Sequence, residues 1–503
     1  MILKSLPALA TGAALGVAVL VSTLPAPPPA RAAAGVEDAR AEEVSRLIGK
    51  ALTSDHAYTR LETLCDDIGH RLSGSPQLDA AITWATDAMR EDGLDNVHTE
   101  AVTVPAWVRG KEAAWLVEPA RRKLSILGLG NSVGTPAEGI TAPLVVVGSF
   151  EELEALGESV RGAIVLYDVP FTTYGETVRF RVRGPSRAAA LGAVGVLVRS
   201  VGPISYDTPH TGTLYYSEDE TIPRIPAAAV TIENATMLRR MQERGTPHPV
   251  HLEMEAHFAP DAPSANVVGE VRGSERPEEV VVIGGHLDSW DVGQGAQDDG
   301  VGCVIAMEAA RLIHALGLHP RRTIRVVLFT NEENGSRGGR TYAKTHRAEL
   351  GKVVAAIESD SGNGRADGFS VDVRALPREL PEGASEEALQ AEKDRAEAEA
   401  APVREKALAA AQSLGELLAP LDAGTMEAGY AGTDISAMVH AGVTGLGLNH
   451  DTTKYFEIHH TNADTFDKII PEDLRHNVAV MAVMAYLLAD GPGRLTADRT
   501  GRE

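Results

Sequence analysis

In the second half of the chain, four aliphatic runs each lead into side chains that bind hard or borderline metal ions. The run 280–285 delivers His286-Leu287-Asp288, and Asp298-Asp299-Gly300 follow ten residues after Asp288. The run 323–330 delivers Asn331-Glu332-Glu333-Asn334-Gly335, and the run 353–357 leads to Glu358-Ser359-Asp360-Ser361-Gly362. Past the run 445–449 stand His459-His460-Thr461-Asn462-Ala463-Asp464-Thr465. Two imidazoles and three carboxylates give two divalent ions a near-tetrahedral shell when one carboxylate and one water are shared. His286, Asp298, Glu333, Asp360 and His460 supply that set. Glu332 is then a spare carboxylate beside the water, placed to take and return its proton. Asp288, two residues after His286, could accept the second N–H of that imidazole and fix its tautomer.

Singly, each of these groups has an ordinary explanation. Asp-Asp-Gly is most often a turn or helix cap, adjacent glutamates are most often solvated, and a histidine pair is most often a surface feature. Their common position after a strand changes the weighing, because ligands of open α/β sheets bind at the carboxyl ends of strands. The surrounding pattern supports such a sheet. Strands over 280–285, 323–330 and 353–358 alternate with helices over 301–316 and 338–350, which predicts a mixed, mostly parallel sheet sandwiched by helices.

Ahead of this region the character differs. Helical spacing covers 36–52 and 77–91, and short aliphatic runs at 143–147, 162–167, 188–198 and 225–230 predict an inserted β-rich module over 136–252. The catalytic domain is then expected over 35–135 and 253–503. Residues 382–406 carry eight acidic and four basic side chains on an alanine-rich background, so 376–408 is expected as a charged helical insertion. Gly128-Leu129-Gly130 lacks the spacing of a dinucleotide fingerprint and reads as a turn.

Composition narrows the partners. The 503 residues carry a formal net charge of −23, which argues against nucleic acid. With only Cys65 and Cys303, there is no disulfide framework or cysteine-based zinc module, and both are expected as separate buried thiols. Residues 1–34 combine a basic start, an apolar centre of about 17 residues and a small-residue end, the pattern of a cleavable signal peptide and hence of a secreted or periplasmic product. No later run is long enough to span a membrane.

The run from His286 to Gly300, with the segments 328–335 and 455–465, resembles the co-catalytic zinc exopeptidases of peptidase family twenty-eight. The resemblance extends over about 58–488. It implies two zinc ions per chain: His286 and Asp360 on one, Glu333 and His460 on the other, Asp298 bridging, and Glu332 as general base. It also selects His460 over His459, because the last ligand of the family stands four residues before an Asp-Thr pair. It implies a protease-associated domain over 136–252, a peptide substrate and a homodimer. Some relatives place Tyr where this chain has His459, so the oxyanion donor stays open. Asp434, in Gly432-Thr433-Asp434, matches a family loop near the substrate. The expected activity is that of a metallo-exopeptidase, with aminopeptidase, dipeptidase and carboxypeptidase action all open. The rivals are a single-zinc acyl transferase resembling glutaminyl cyclase and a non-catalytic receptor-like binding protein.

Overall fold

Runs such as Val280-Val281-Val282-Ile283 and Val326-Val327-Leu328-Phe329 are apolar on both alternating faces, so the strands they form must be covered on both sides. In the computed structural model, which describes residues 30–246, 248–375 and 385–496, they lie side by side at the centre of an eight-stranded sheet. The strands in chain order are β1 (Asp95–Val108), β2 (Glu112–Leu116), β3 (Arg122–Leu124), β4 (Ile126–Gly128), β5 (Ile140–Ala142), β6 (Leu144–Val147), β7 (Ile164–Tyr167), β8 (Gly195–Arg199), β9 (Ala227–Val230), β10 (Val250–Met254), β11 (His257–Val271), β12 (Arg276–His286), β13 (Arg322–Phe329), β14 (Val353–Glu358), β15 (Ala366–Asp372), β16 (Thr425–Ala428) and β17 (Gly445–His450).

The large sheet has the order β1-β11-β13-β12-β14-β17-β15-β16. Its core, β13-β12-β14-β17, is parallel, while β1 is antiparallel to β11, β11 to β13 and β15 to β17, with β16 parallel to β15 at the edge. The sheet is thus mixed and mostly parallel at its centre. One face packs on the helices Val301–Ala315 and Pro471–Asp490, whose side chains are buried nearly all round, together with Pro76–Glu91. The opposite face, with Val268, Val282, Val327 and Phe329, packs on Arg337–Thr345 and Ser436–His440. Parallel strands all present their carboxyl ends to one edge, which places His286, the residues after Phe329 and those after Glu358 together.

Residues 112–254 build two smaller sheets, β3-β2-β10-β5 and β4-β9-β8-β7-β6. In the second, β6, β7, β8 and β9 are parallel, and the helices Phe150–Leu156, Tyr174–Ala190 and Ile232–Glu243 alternate with them. This part is therefore α/β rather than β-rich, and strands β2 to β4 precede the expected start at 136. The aliphatic run 188–198 divides: its alanines finish the helix Tyr174–Ala190, Gly192 turns the chain at φ +88°, and β8 follows. Arginines at 179, 181, 183 and 187 masked that helix, because they dilute the apolar stripe on which helical periodicity is read.

The charged segment forms the helix Glu386–Gly415, capped by Ser385, which accepts from the Ala388 N–H. Its buried alanines, Ala400, Ala407 and Ala411, face inward while Arg395 pairs with Glu392 and Glu399 on the outside. Residues 376–384 of the expected insertion, and 1–29 of the expected signal peptide, lie outside the described residues; Ala30 opens the helix Ala30–Ala51. By contacts the chain divides into Met1–Glu42 and a single unit Glu43–Glu503 that holds everything described below. Cys65 and Cys303 are both buried free thiols, as expected.

Candidate metal centre

Four strands bring the predicted residues to one edge. His286 is the last residue of β12, Glu332 and Glu333 follow β13, Asp360 follows β14, and His459 and His460 follow the short helix Tyr455–Ile458 beyond β17. Asp298 arrives from the irregular turn Ala296–Gly300 before the helix Val301–Ala315, with φ −131° and ψ 89°, and the Asp298–Asp299 peptide bond is cis.

Asp298 sits between two imidazoles. Its Oδ1 is 3.3 Å from His286 Nε2 and its Oδ2 is 3.1 Å from His460 Nε2. Asp360 Oδ1 lies 3.5 Å from His286 Nε2, and Glu333 Oε2 lies 3.1 Å from His460 Nε2. His286, Asp298 and Glu333 place ligand atoms within 4.8 Å of one another, and so do Asp298, His459 and His460. His459 therefore joins the cluster: its Nε2 is 3.5 Å from Asp298 Oδ2, and its ring stacks on that of His460 with centroids 3.5 Å apart. His286 Nε2, Asp298 Oδ2, Glu333 Oε1 and His459 Nδ1 are buried without a hydrogen-bond partner among the described residues. Buried polar atoms are ordinarily satisfied, so a cluster of orphaned nitrogen and oxygen lone pairs is the donor set a cation would complete.

Several supports are invisible in local motifs. Asp288 does not orient His286 through its carboxylate as expected. The imidazole Nδ1 is 2.9 Å from the Asp288 backbone carbonyl, while Asp288 Oδ1 is 3.8 Å away. The carboxylate points instead to the next strand end, accepting the N–H groups of Glu332 (3.0 Å) and Glu333 (3.3 Å). It thus sets the loop that presents both glutamates. Asp299 accepts from the N–H groups of His286 and Gly302. A Cβ on Gly285 would lie 2.1 Å from Asp299 Oδ2, so glycine is needed for that approach. Asp464 accepts from the N–H groups of Gln297 and Asp298, fixing the backbone that carries Asp298. Arg71, fully buried, donates to the carbonyls of Gly69, Leu287, Gln294 and Gly295 and ties down the loop between His286 and Asp298.

A cleft of about 330 Å³ opens beside the cluster, lined by Glu358, Asp360, Tyr430, Gly432, Asn449 and His450 among others. Asp434, expected as a substrate contact, lies 1% exposed and does not line it. Its N–H and that of Ile435 donate to the Glu358 carboxylate, which occupies the wall instead. Gly432, at φ +138°, leaves room for Glu358, whose Cδ would be 2.2 Å from an added Cβ.

Electrostatics follow from burying many carboxylates together. Burial pushes Glu332 up to about 7, helped by Asp360, Asp298 and Asp288 and opposed by His286. Glu333 is pushed up to about 8 by burial and by Asp298. Asp298 is held well below the usual carboxylate range: its burial is outweighed by His286 and His460. Burial disfavours the imidazolium forms of His286 and His460, yet the flanking carboxylates hold both well above the ordinary histidine value. His459 is driven the other way by burial and by its stacked neighbour His460, so it is neutral.

An α/β/α sheet with a carboxylate-bridged histidine and acid cluster at its carboxyl edge is the architecture of a metallo-exopeptidase, and the chain belongs to peptidase family M28. The profile of that family, Peptidase family M28, matches residues 266–485. Mouse Carboxypeptidase Q is 42% identical over 87% of this chain and 86% of its own length. The human Carboxypeptidase Q is 41% identical over 88% and 87%. Among solved structures, a Peptidase M28 precursor from Shewanella amazonensis superposes with a TM-score of 0.81 at 35% identity, covering 91% of this chain and 98% of that one. A zinc aminopeptidase from Bacillus subtilis shares the fold, with a TM-score of 0.61 at 20% identity over 89% and 98%. The protein is thus a metallo-exopeptidase of that family, similar to Carboxypeptidase Q. No helix among the described residues is long and apolar enough to cross a membrane.

Proposed function

We propose that the chain binds two zinc ions and hydrolyses dipeptides or short peptides at a terminal bond, with Glu332 as general base. The observation that carries this reading is Asp298, held between His286 and His460 with one oxygen toward each imidazole. The donors fit the metal in kind, since imidazole nitrogens and carboxylate oxygens suit zinc. They also fit in state, since several of these buried atoms have no hydrogen-bond partner among the described residues. His286 and Asp360 would hold one ion, Glu333 and His460 the other, and Asp298 both. Zinc in such a site makes a water acidic enough to lose its proton near neutral pH and polarises the scissile carbonyl.

The rest is done by the chain. Asp288 fixes the backbone of Glu332 and Glu333, so that one glutamate points to the metals while its neighbour stays free. Glu332 takes the proton of the attacking water and returns it to the leaving amine. Asp464 and Arg71 keep the bridging loop from shifting, which matters because small displacements of reacting groups are costly.

The reading extends to residues 136–252 as a protease-associated domain, and to residues 1–34 as an export signal; both rest on sequence pattern and resemblance alone. The purified protein, assayed for metal per chain and for products from a peptide library, tests the proposal. Two zinc ions per chain and release of single terminal residues, abolished by a chelator and restored by zinc, are expected. A single bound zinc with cyclisation of N-terminal glutamine would instead select the acyl-transferase alternative. Full metal loading without turnover of any peptide would select a binding protein.

A further inference from the structure

The module built by residues 112–254 reaches into the metal centre. We infer that Arg181, on the helix Tyr174–Ala190, is a positioning residue for His460, holding that ring in the tautomer and orientation that turn Nε2 toward the metals. The inference rests on the two-zinc reading of the site, and it concerns a residue with no counterpart in the motifs that define that site.

Arg181 is only 4% exposed, and no carboxylate pairs with it among the described residues. A buried guanidinium without an anion must spend its N–H groups on neutral acceptors. Nη1 donates to the Thr211 carbonyl at 3.0 Å, and Nη2 donates to the Tyr174 hydroxyl at 2.9 Å. His460 Nδ1 lies 3.3 Å from the same Thr211 carbonyl, which can accept only if Nδ1 carries the proton. Once a cation has displaced the proton on Nε2, that nitrogen offers its lone pair on the side of Asp298 and Glu333, each 3.1 Å away. The alternative is unproductive. Arg181 Nη1 is 3.4 Å from His460 Nδ1, and a bare Nδ1 accepting from it would put the proton on Nε2, where no metal could bind. A Thr211 carbonyl fixed in place by Arg181 decides between the two tautomers, as acceptors behind metal-bound histidines generally do.

The main chain strengthens the clasp, because the Thr211 N–H donates to the His460 carbonyl at 2.9 Å. His460 itself has φ +61°, a conformation that persists only where surrounding contacts impose it. Gly212, at φ +132°, lies flat against the guanidinium, and a Cβ there would be 2.1 Å from Arg181 Nη1. On the other side the Trp290 ring meets His460 edge to face at 5.6 Å and bounds the imidazole there.

The test is zinc binding by competition with a graded chelator, read alongside kcat and KM, for the full chain and for Arg181→Ala. In the variant, affinity at one of the two sites is expected to fall about 10- to 100-fold while the other is unchanged, as for other residues that orient a ligand. KM is expected to stay the same, kcat to fall at limiting zinc and recover at excess zinc, and Arg181→Lys, which keeps one donor within reach of the carbonyl, to fall between. Two sites of undiminished affinity in Arg181→Ala would overturn the inference. So would a raised KM with unaltered zinc binding, which would make Arg181 a substrate contact. If Arg181→Ala does not fold, Tyr174→Phe and Gly212→Ala carry the same test, since each loosens or displaces the guanidinium. A wild-type protein that binds one zinc or none would refute the two-zinc reading itself, a result separate from any difference between variants.

Discussion

Two parallel sheets in this protein end in charged residues, and only one of the ends is prepared for chemistry. In the smaller sheet, Asp168 follows β7, and its carboxylate accepts from Arg199 Nη1 at 2.8 Å and from Arg239 Nε at 2.5 Å. Arg239 also donates to the Asp168 carbonyl. At the corresponding edge of the large sheet stand Asp288, Asp298, Asp299, Glu332, Glu333, Glu358 and Asp360, and no lysine or arginine pairs with any of them among the described residues. The carboxyl edge of a parallel sheet gathers polar groups in both cases. What separates them is the pairing: neutralised by arginines and hydrogen-bonded at Asp168, without lysine or arginine among the described residues and partly orphaned around Asp298. A site that must take up cations is recognised by what it leaves unpaired rather than by where it sits.

Substituting the large-sheet residues should break that contrast most severely. Glu332→Gln is expected to keep zinc yet lose about 10²- to 10⁴-fold in kcat, the usual worth of a positioned general base. Asp298→Ala should lose zinc and turnover together, since it removes the group shared by both imidazoles. Steady-state kinetics with metal analysis of the same samples separates the two outcomes. Retained turnover in Glu332→Gln would remove that residue from its role.

A second consequence concerns pH. In the metal-free protein Glu332 and Glu333 are raised to about 7 and about 8, so between their ordinary range near 4.5 and those values the folded chain holds more protons than the unfolded one. The stability these two groups contribute to the metal-free form is therefore lost as pH rises through that window. His286 and His460, also raised, act in the same direction above the ordinary histidine value. Zinc competes with those protons, so its binding releases them and tightens with rising pH. Thermal unfolding with and without chelator should show the zinc-induced rise in Tm growing between pH 5.5 and pH 8. A rise that shrinks over this interval would contradict the arrangement.

The contrast also explains what a reader of the sequence can and cannot see. His286, Glu332, Glu333 and Asp360 are legible because each adjoins an aliphatic run, and a buried parallel strand announces itself by continuous apolar residues. The histidine pair is legible by type, although spacing alone does not show that His459 stacks on His460 and shares Asp298. Arg71 and Arg181 are illegible. Each acts across more than 200 residues of chain, as with Arg71 to Leu287 and Arg181 to His460, and nothing in the surrounding sequence distinguishes them from surface arginines. Asp288 shows a subtler limit. Its spacing from His286 is right for a contact, but the contact is made by its carbonyl, because the carboxylate turns to the neighbouring strand end.

The smallest effect should come from the satisfied end. Asp168→Asn keeps the shape of the side chain but removes the charge that two arginines share. Arg199 and Arg239 are 16% and 28% exposed, so water relieves part of the loss, and the cost should be about 1–3 kcal/mol of stability rather than the larger penalty of a sealed ion pair. Zinc affinity and kcat per folded molecule should be unchanged, because Asp168 takes part in no contact with the metal ligands or with Arg181. Denaturant unfolding beside zinc titration makes the comparison direct. If Asp168→Asn weakened zinc binding while Arg181→Ala did not, the connection between the small sheet and the metal centre would run through the body of the module rather than through the guanidinium on its edge.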